Sequence, residues 1–370
     1  MKIPLSSPDI TEKEKKAVLA VLDSSRLSLG PRIVEFERKF AGYIGTKYAI
    51  AISSGTAGLH LLVRALEIKG GDEVITTPFS FIASANCVLF EKAKPAFVDI
   101  DPKTLNIDAD KIEKAITLRT KAIIAVDVFG HSAEWQKILK IARKFKLRVI
   151  EDSCEAIGAE YQGRKCGSFG DAAVFAFYPN KQITTGEGGM IVTDNKKIAE
   201  LCRSMLNQGR KIKNGSWLDH VRLGYNYRMS DINAALGIAQ LSRIEEILQK
   251  RNKVAKYYKK HLLEIQDIEI PHESSWAKIS WFVYVVKLSK KYTANDRNEI
   301  IGKMRNLGIE CSDYFKCIHL QPFYRESFGF KKGDFPIAES ISDRTIALPF
   351  FNNLKEEKIK YIVNKLKTCL

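Results

Sequence analysis

A lysine between a hydrophobic run and a glycine-rich turn has the clearest capacity for covalent chemistry in this sequence. Lys181 follows residues 175–180 (FAFYPN) and precedes residues 182–189 (QITTGEGG). A lysine that is partly withdrawn from water has a lowered pKa, and its neutral amine forms Schiff bases with carbonyl compounds. A solvated lysine in a surface loop would explain the same segment. The residues alone leave both interpretations open.

Two adjacent acids end another hydrophobic run. Glu151 and Asp152 come directly after Val149 and Ile150. A carboxylate at the end of a buried strand is costly unless it is paired. It could hold a proton on a heteroaromatic nitrogen, or it could simply cap the next helix. Either function fits the sequence.

Two further segments follow apolar runs and could bind a flat, phosphorylated molecule. Ser54, Gly55 and Thr56 precede a predicted helix over 58–66, and a helix N-terminus with small residues favours a phosphate. The same three residues also make an ordinary helix start. Phe81 comes after a strand and could stack on a cofactor ring, although such a residue is more often part of the core. Pyridoxal phosphate (PLP) needs all four parts: phosphate cradle, aromatic, acid and lysine.

The elements around these segments predict an α/β fold. Short runs rich in Val, Ile, Ala and Phe alternate with helical patterns between residues 48 and 195, which is typical of a mainly parallel sheet flanked by helices. The predicted strands are 48–53, 73–77, 96–99, 122–126, 148–151, 172–177 and 190–193. In such a sheet the ligand lies at the carboxyl ends of the strands.

Helical patterns flank this region, and the last third of the chain differs. Thr11 and Glu14 form a capping-box pattern for a helix over 11–24, another helix is predicted over 33–43, and residues 196–265 are expected to be mostly helical. Alternation over 281–288 predicts a strand of an antiparallel sheet. We predict a large domain over 1–250, with the N-terminal segment 1–30 included, and a small α+β domain over 251–370.

Composition narrows the function classes. The chain has 370 residues, no run of ~20 apolar residues, and an N-terminus without an apolar signal core, so we expect a cytoplasmic protein without membrane association. Seven scattered cysteines and six histidines without ligand spacing predict neither disulfides nor a metal site. The net charge of +16 would favour an acidic partner, but no nucleic-acid motif accompanies it, and we expect no nucleic-acid binding.

Over almost its whole length the chain resembles the nucleotide-sugar aminotransferases of the DegT type, which are PLP enzymes with the aspartate-aminotransferase (type I) fold. The matching segments occur in the family's order. They are residues 27–31 (LSLGP), 35–37 (EFE), 54–56 (SGT), 71–75 (GDEVI), 97–99 (FVD), 151–152 (ED), 167–171 (GSFGD), 181–189 (KQITTGEGG), 224–229 (GYNYRM) and 335–339 (FPIAE).

This resemblance implies a function for individual residues. Lys181 matches the lysine that carries the cofactor as a Schiff base and then moves the proton. Asp152 matches the partner of the pyridine nitrogen, Phe81 the aromatic stacked on the ring, and Gly55 and Thr56 the phosphate-binding turn. Asn226 matches an asparagine that reaches the phosphate from the neighbouring subunit, which implies a homodimer with shared active sites.

Four more positions carry weaker implications or departures. Arg228 and His319 lie in segments that resemble ones near the substrate in relatives. Relatives often have a serine where Ala176 stands, so one phosphate hydrogen bond is either missing or supplied by Ser54. Relatives often have a glutamine near the phenolic oxygen of the cofactor where this chain has Glu155. A carboxylate there would repel a phenolate unless it is protonated or turned away.

The implied reaction is a ping-pong transfer of an amino group from L-glutamate to a keto-sugar nucleotide. Residues 3–6 (IPLS) and 78–81 (PFSF) resemble enzymes that aminate a 4-keto-6-deoxy sugar. The same machinery could aminate a cyclitol or another keto compound. A related sugar dehydratase would have histidine in place of Lys181, and a non-catalytic regulator of this fold would not need Lys181, Asp152 and Asn226 together.

Overall fold

The computed structural model describes residues 2–211 and 219–370. The strands of these residues are β1 Tyr48–Ile52, β2 Glu73–Thr76, β3 Lys94–Phe97, β4 Thr120–Val126, β5 Arg148–Asp152, β6 Glu160–Tyr161, β7 Arg164–Lys165, β8 Ala172–Ala176, β9 Gly189–Thr193, β10 Ile268–Glu269, β11 Ala277–Lys278, β12 Tyr284–Leu288 and β13 Thr345–Leu348. Their helices are α1 Glu12–Leu22, α2 Pro31–Ile44, α3 Gly55–Ala65, α4 Ala83–Phe90, α5 Ala109–Ile112, α6 Trp135–Phe145, α7 Lys196–Met205, α8 Asp231–Leu241, α9 Ile244–Leu262, α10 Ala294–Asn306, α11 Pro322–Phe328, α12 Pro336–Ser342 and α13 Glu356–Cys369. None of the helices in these two ranges is both long and apolar enough to cross a bilayer.

A seven-stranded sheet forms the centre of the molecule, in the order β1-β9-β8-β5-β4-β2-β3. Strand β9 runs antiparallel to both of its neighbours, β1 and β8, and the other pairs are parallel. All seven strands predicted from the sequence are present, with ends within two residues of the predicted ones. The prediction of a mainly parallel sheet flanked by helices is confirmed.

Alternate side chains of the sheet pack into two different cores. In β1, Ile50 and Ile52 pack with residues of α3 and α7, whereas Ala49 and Ala51 pack with residues of α2 and α8. In β8, Val174 packs in the first of these cores, and the residues before and after it in the chain pack in the second. Because successive side chains point to opposite faces of a strand, both faces of the sheet are covered by helices. Only the edges and ends of the strands remain for a ligand.

The C-terminal third forms its own layer, with the antiparallel sheet β10-β12-β13 against α9, α10 and α13. The predicted strand over 281–288 is shorter, beginning at Tyr284. Ile3 is fully buried in this same core, and its N–H donates to the carbonyl of Gly308 at 2.8 Å. The N-terminal segment therefore packs against the C-terminal layer. The division at residue 250, which lies inside α9, stays a prediction.

The helical predictions hold at the N-terminus and over most of residues 196–265, which contain α7, α8 and α9. Thr11 and Glu14 form the predicted capping box of α1. Between α7 and α8, the described residues of 206–230 form no helix. Gly209 has a φ of 73°, and Asn207 pairs with Asn226 as in a strand. A left-handed residue and an extended pairing are both incompatible with a continuous helix.

A pair of acids lies deep between β4 and β5. Asp127 and Glu151 are fully buried, and the hydroxyl of Ser153 lies 2.8 Å from Oδ2 of Asp127 and 3.2 Å from Oε1 of Glu151. Burial raises the pKa of Asp127 to about 6. Burial and the charge of Asp127 raise the pKa of Glu151 well above its ordinary value. Cys166 lies within 4.8 Å of both, and burial together with the two acids raises the pKa of its thiol. Two buried acids this close retain a proton at neutral pH.

Replacing Asp127 with Asn should stabilise the protein at alkaline pH. A carboxyl whose folded pKa is raised favours folding below its unfolded pKa of 3.8, and this contribution is lost as pH rises toward about 6. The amide that Asp127→Asn introduces cannot ionise, and its oxygen can still accept the N–H of Ala133. We expect a gain in unfolding free energy larger at pH 8 than at pH 5 by on the order of 1 kcal/mol, measured by denaturant unfolding. Asp110→Asn, on the surface, is the control. An equal gain at both pH values would contradict a raised pKa for Asp127 in the folded protein.

Candidate active site

The four segments singled out in the sequence meet at the carboxyl edge of the sheet. They follow β1, β2, β5 and β8, four parallel strands. Contacts join them directly: the N–H of Ser153 donates to the carbonyl of Val174 at 3.0 Å, and the hydroxyl of Ser84 donates to Asp152 at 2.7 Å. This is the edge at which ligands bind in open α/β sheets.

Asp152 is held in a fixed orientation at the end of β5. Its side chain is 3% exposed, and Oδ2 accepts from the hydroxyl of Ser84 on α4. Ser84 is itself 2.9 Å from the hydroxyl of Ser80. Oδ1 accepts from the N–H of Cys154 at 3.3 Å. These bonds stabilise a buried carboxylate and aim it at the sheet edge.

Lys181 is not a solvated surface residue. Its side chain is 13% exposed, and its Nζ lies 3.6 Å from Oε1 of Glu155. The ring of Phe282 also lies against the amine, with its centroid 3.9 Å from Nζ. The N–H of Lys181 donates to the carbonyl of Tyr178 at 2.9 Å, in a turn that follows β8. The amine thus has a carboxyl group and an aromatic face as close neighbours.

Glu155 is buried next to this lysine. Oε2 accepts the N–H of Phe129 at 2.9 Å, and Oε1 faces Lys181. Burial raises the pKa of Glu155, while the charge of Lys181 opposes that rise. The carboxyl group is therefore anchored by a backbone donor on one oxygen and faces the amine with the other.

Ser54, Gly55 and Thr56 form the first turn of α3. The Ser54 hydroxyl accepts the N–H of Ala57 at 3.1 Å as the helix cap. Accepting that bond does not use the hydroxyl's proton, so Ser54 can still donate to a phosphate. A Cβ at Gly55 would lie 2.9 Å from both the Cβ of Ala176 and Sγ of Cys154. Only glycine lets this turn, with its free N–H groups, lie so close to β8.

The two phenylalanines after β2 have opposite environments. Phe79 is fully buried, whereas Phe81 is 60% exposed. Phe81 is therefore not a core residue, and its ring is accessible to a ligand. That it stacks on the cofactor stays a prediction.

Asn226 and Arg228 lie on an extended segment beside β1. Asn226 is exposed and pairs with Asn207, and Arg228 pairs with Ile52 at the end of β1. Arg228 also donates to the side-chain oxygen of Asn207 at 3.0 Å. The segment thus runs next to the residues that lead into α3, although the contacts of Asn226 and Arg228 with ligands remain predictions.

His319 lies near this edge but is shielded from solvent. It is fully buried, and its Nε2 is 3.0 Å from Oε1 of Glu339. Burial lowers the pKa of His319. Among the described residues, its Nδ1 has no hydrogen-bond partner. The neighbouring N–H of Ile318 donates to Pro78 at 2.8 Å. The geometry gives His319 a packing function, and contact with substrate stays a prediction.

These residues fit PLP. The glycine-dependent first turn of α3 can bind the phosphate, the buried and oriented carboxylate of Asp152 can hold a proton on the ring nitrogen, and Lys181 offers a partly buried amine. The three groups follow three parallel strands of one sheet, β1, β5 and β8, whose carboxyl ends lie on the same side of the sheet.

Several contacts of the site could not be found from the sequence. Ser84, Phe129, Phe282 and Tyr314 contact or face Asp152, Glu155 or Lys181. Phe282 and Tyr314 come from more than 100 residues further along the chain, so only the fold brings them here.

A family model described as the DegT/DnrJ/EryC1/StrS aminotransferase family matches residues 8–367. GDP-perosamine synthase from Caulobacter vibrioides is 39% identical over 100% of this chain and 98% of its own length. The structure of PseC from Helicobacter pylori, an aminotransferase of pseudoaminic acid biosynthesis, superposes with a TM-score of 0.94 at 32% identity, over 100% and 99% of the two chains. The PLP form of Spr1654 from Streptococcus pneumoniae superposes with a TM-score of 0.94 at 30% identity, over 100% and 98%.

Gly55→Ala should weaken cofactor binding. The added Cβ would meet Ala176 and Cys154 at 2.9 Å and push the first turn of α3 away from β8. Overpacking of this kind costs about 1–3 kcal/mol, so we expect an affinity for PLP weaker by about 5- to 150-fold, measured by absorbance titration.

Gly42→Ala is the matched control. Gly42 lies inside α2, and a Cβ there would meet nothing within 4 Å. Because alanine favours a helix over glycine, this variant should be more stable by up to about 1 kcal/mol and bind PLP normally. Normal PLP affinity in Gly55→Ala would show that the close approach at this turn does not matter for the cofactor.

Proposed function

The chain belongs to the DegT/DnrJ/EryC1/StrS family of PLP-dependent sugar aminotransferases, and on that premise we propose that it transfers an amino group from L-glutamate to a keto-sugar nucleotide. The observation that carries the proposal is the environment of Lys181, whose amine is mostly buried beside an acid and an aromatic ring. PLP, when bound, supplies a carbonyl group for the amine and a ring that withdraws electrons.

Three parts of the chain have separate functions in this reaction. Residues 54–56 bind the phosphate and fix the position of the ring. Asp152, oriented by Ser84, holds a proton on the ring nitrogen and so keeps the ring electron-poor. Lys181 would hold the cofactor covalently until an amino donor takes its place, and its freed amine would then take and return the proton at the substrate carbon. A single site that alternates between donor and acceptor gives ping-pong kinetics.

Lys181→Ala should bind PLP without turnover. Removing the amine eliminates both the covalent attachment and the proton carrier, and we expect a loss of at least about 10³-fold in turnover. The measurement is the absorbance spectrum with PLP before and after L-glutamate: the wild-type spectrum should convert to that of the amino form of the cofactor, and the variant should stay unchanged. Normal turnover in the variant would show that Lys181 is neither the covalent attachment point nor the proton carrier. A wild-type spectrum that glutamate leaves unchanged would instead exclude glutamate as the donor.

For the acceptor we propose a 4-keto-6-deoxy sugar linked to a nucleotide. The similarity to GDP-perosamine synthase, whose name specifies a sugar attached to a nucleoside diphosphate, supports a substrate of this class. The net charge of +16 also favours a diphosphate. A panel of keto-sugar nucleotides against keto-cyclitols, each offered to the amino form of the enzyme, tests this choice. Amination of a cyclitol alone would shift the proposal to that class.

We further propose a homodimer in which each active site takes Asn226 from the neighbouring subunit. The segment that leads to Asn226 carries exposed apolar side chains, including Val221 and Leu223. The exposed Leu27 and Leu29 lie close to the same segment because Ser28 pairs with Ser230. An apolar surface beside a partly exposed site supports burial against a second copy of the chain.

Mixing two inactive variants tests the shared site. In a mixed dimer of Lys181→Ala with Asn226→Ala, one site has both changes and the other has neither. If the subunits exchange freely, half of the dimers are mixed and one of their two sites is intact, so activity should recover to about a quarter of wild type. Activity that stays at the sum of the separate variants would contradict shared sites. The oligomeric state is checked by light scattering.

A further inference from the structure

The amine of Lys181 has two neighbours that stabilise a positive charge. Oε1 of Glu155 lies 3.6 Å from Nζ, and the centroid of the Phe282 ring lies 3.9 Å from it. The side chains of Lys181 and Glu155 are 13% and 7% exposed, so water screens their interaction poorly. An aromatic face and a carboxylate both favour a cation over a neutral amine.

Glu155 is fixed by contacts on its side chain and on its backbone. Oε2 accepts the N–H of Phe129, a residue with a φ of 56° in the left-handed region. The carbonyl of Glu155 accepts from the side-chain amide of Gln182 at 2.7 Å. Gln182 directly follows Lys181, so the acid and the lysine are tied together through the chain as well as through their charges. This arrangement turns one oxygen away and leaves the other for the amine.

The other ionisable groups around Glu155 do not replace this pairing. Asp152 acts on Glu155 through its charge, in the direction that opposes ionisation. Burial raises the pKa of the Cys154 thiol well above its ordinary value, and burial with the charge of Glu155 raises that of Tyr314. Both groups are neutral at physiological pH. Among the groups that act on Glu155, Lys181 is the cation that lowers its pKa.

We propose that Glu155 is a positioning residue whose fixed carboxylate is the counter-charge of the Lys181 nitrogen and keeps that nitrogen protonated when it carries the cofactor. The inference rests on the proposed function and concerns the same site. It also explains how a carboxylate is accommodated near the cofactor: its second oxygen is occupied by the N–H of Phe129 and its first by the lysine nitrogen.

Glu155→Gln tests the charge without changing the shape. The glutamine oxygen can still accept the N–H of Phe129, so the anchor remains and only the charge is removed. The measurement is a pH titration of the absorbance band of the lysine-bound cofactor, whose long-wavelength form carries the proton. We expect the midpoint to fall by at least about one pH unit, a tenfold change in proton affinity.

Glu160→Gln is the control variant. Glu160 lies on β6 and pairs with Lys278 at 2.7 Å, so this variant also removes one carboxylate paired with a lysine, but at another place. Its midpoint should equal that of wild type. A similar fall in both variants would show that total charge, rather than the pairing with Lys181, sets the midpoint, and would overturn the inference.

The remaining outcomes separate this inference from the proposed function. If the band forms and its midpoint is unchanged in Glu155→Gln, Glu155 is not the counter-charge, although Lys181 still carries the cofactor. If the midpoint rises, the carboxyl group acts as a neutral hydrogen-bond donor and the inference is wrong. If no band forms in wild type, Lys181 does not carry the cofactor, and the proposed function falls together with the inference.

Discussion

Asp152 and Lys181 are opposite charges withdrawn from water at one edge of the sheet, and the local structure is arranged so that neither is left unpaired. An isolated buried charge costs several kcal/mol, so each must have partners in the folded protein. Asp152 has the Ser84 hydroxyl and a backbone N–H, and Lys181 has Glu155 and the ring of Phe282. These partners come from helices, strand ends and the C-terminal layer. The site therefore forms only when the whole fold does.

Strand direction is what brings the charges together. Because β1, β2, β5 and β8 run parallel, the residues that follow them share one edge. The antiparallel strand β9 then returns from the turn after Lys181. A Cβ at Gly189, where β9 begins, would lie 3.0 Å from the backbone nitrogen of Gly55. This close approach places the lysine segment next to the phosphate-binding turn.

The sequence predicts the framework better than the contacts. Strand positions follow from local apolar runs, and the chemistry of Lys181 and Asp152 follows from their places after those runs. The contacts of Phe282 with Lys181 and of Ile3 with the C-terminal core depend on residues distant in sequence. No local pattern encodes such contacts. The region 196–265 is mostly helical as predicted, but the break after α7, where Asn207 pairs with Asn226 as in a strand, could not be located from the sequence.

The two departures from the family pattern affect the site in different ways. Ala176 and Cys154 both lie against Gly55, each 2.9 Å from where a Cβ would be. Both side chains are small and uncharged at neutral pH, so the turn is closely packed on apolar groups, and a phosphate there depends on backbone N–H groups, Ser54 and the helix dipole. Glu155, by contrast, adds a charge beside the reactive amine. The first departure lowers the number of side-chain contacts available to the cofactor. The second changes the electrostatic environment in which the lysine nitrogen gains or loses its proton.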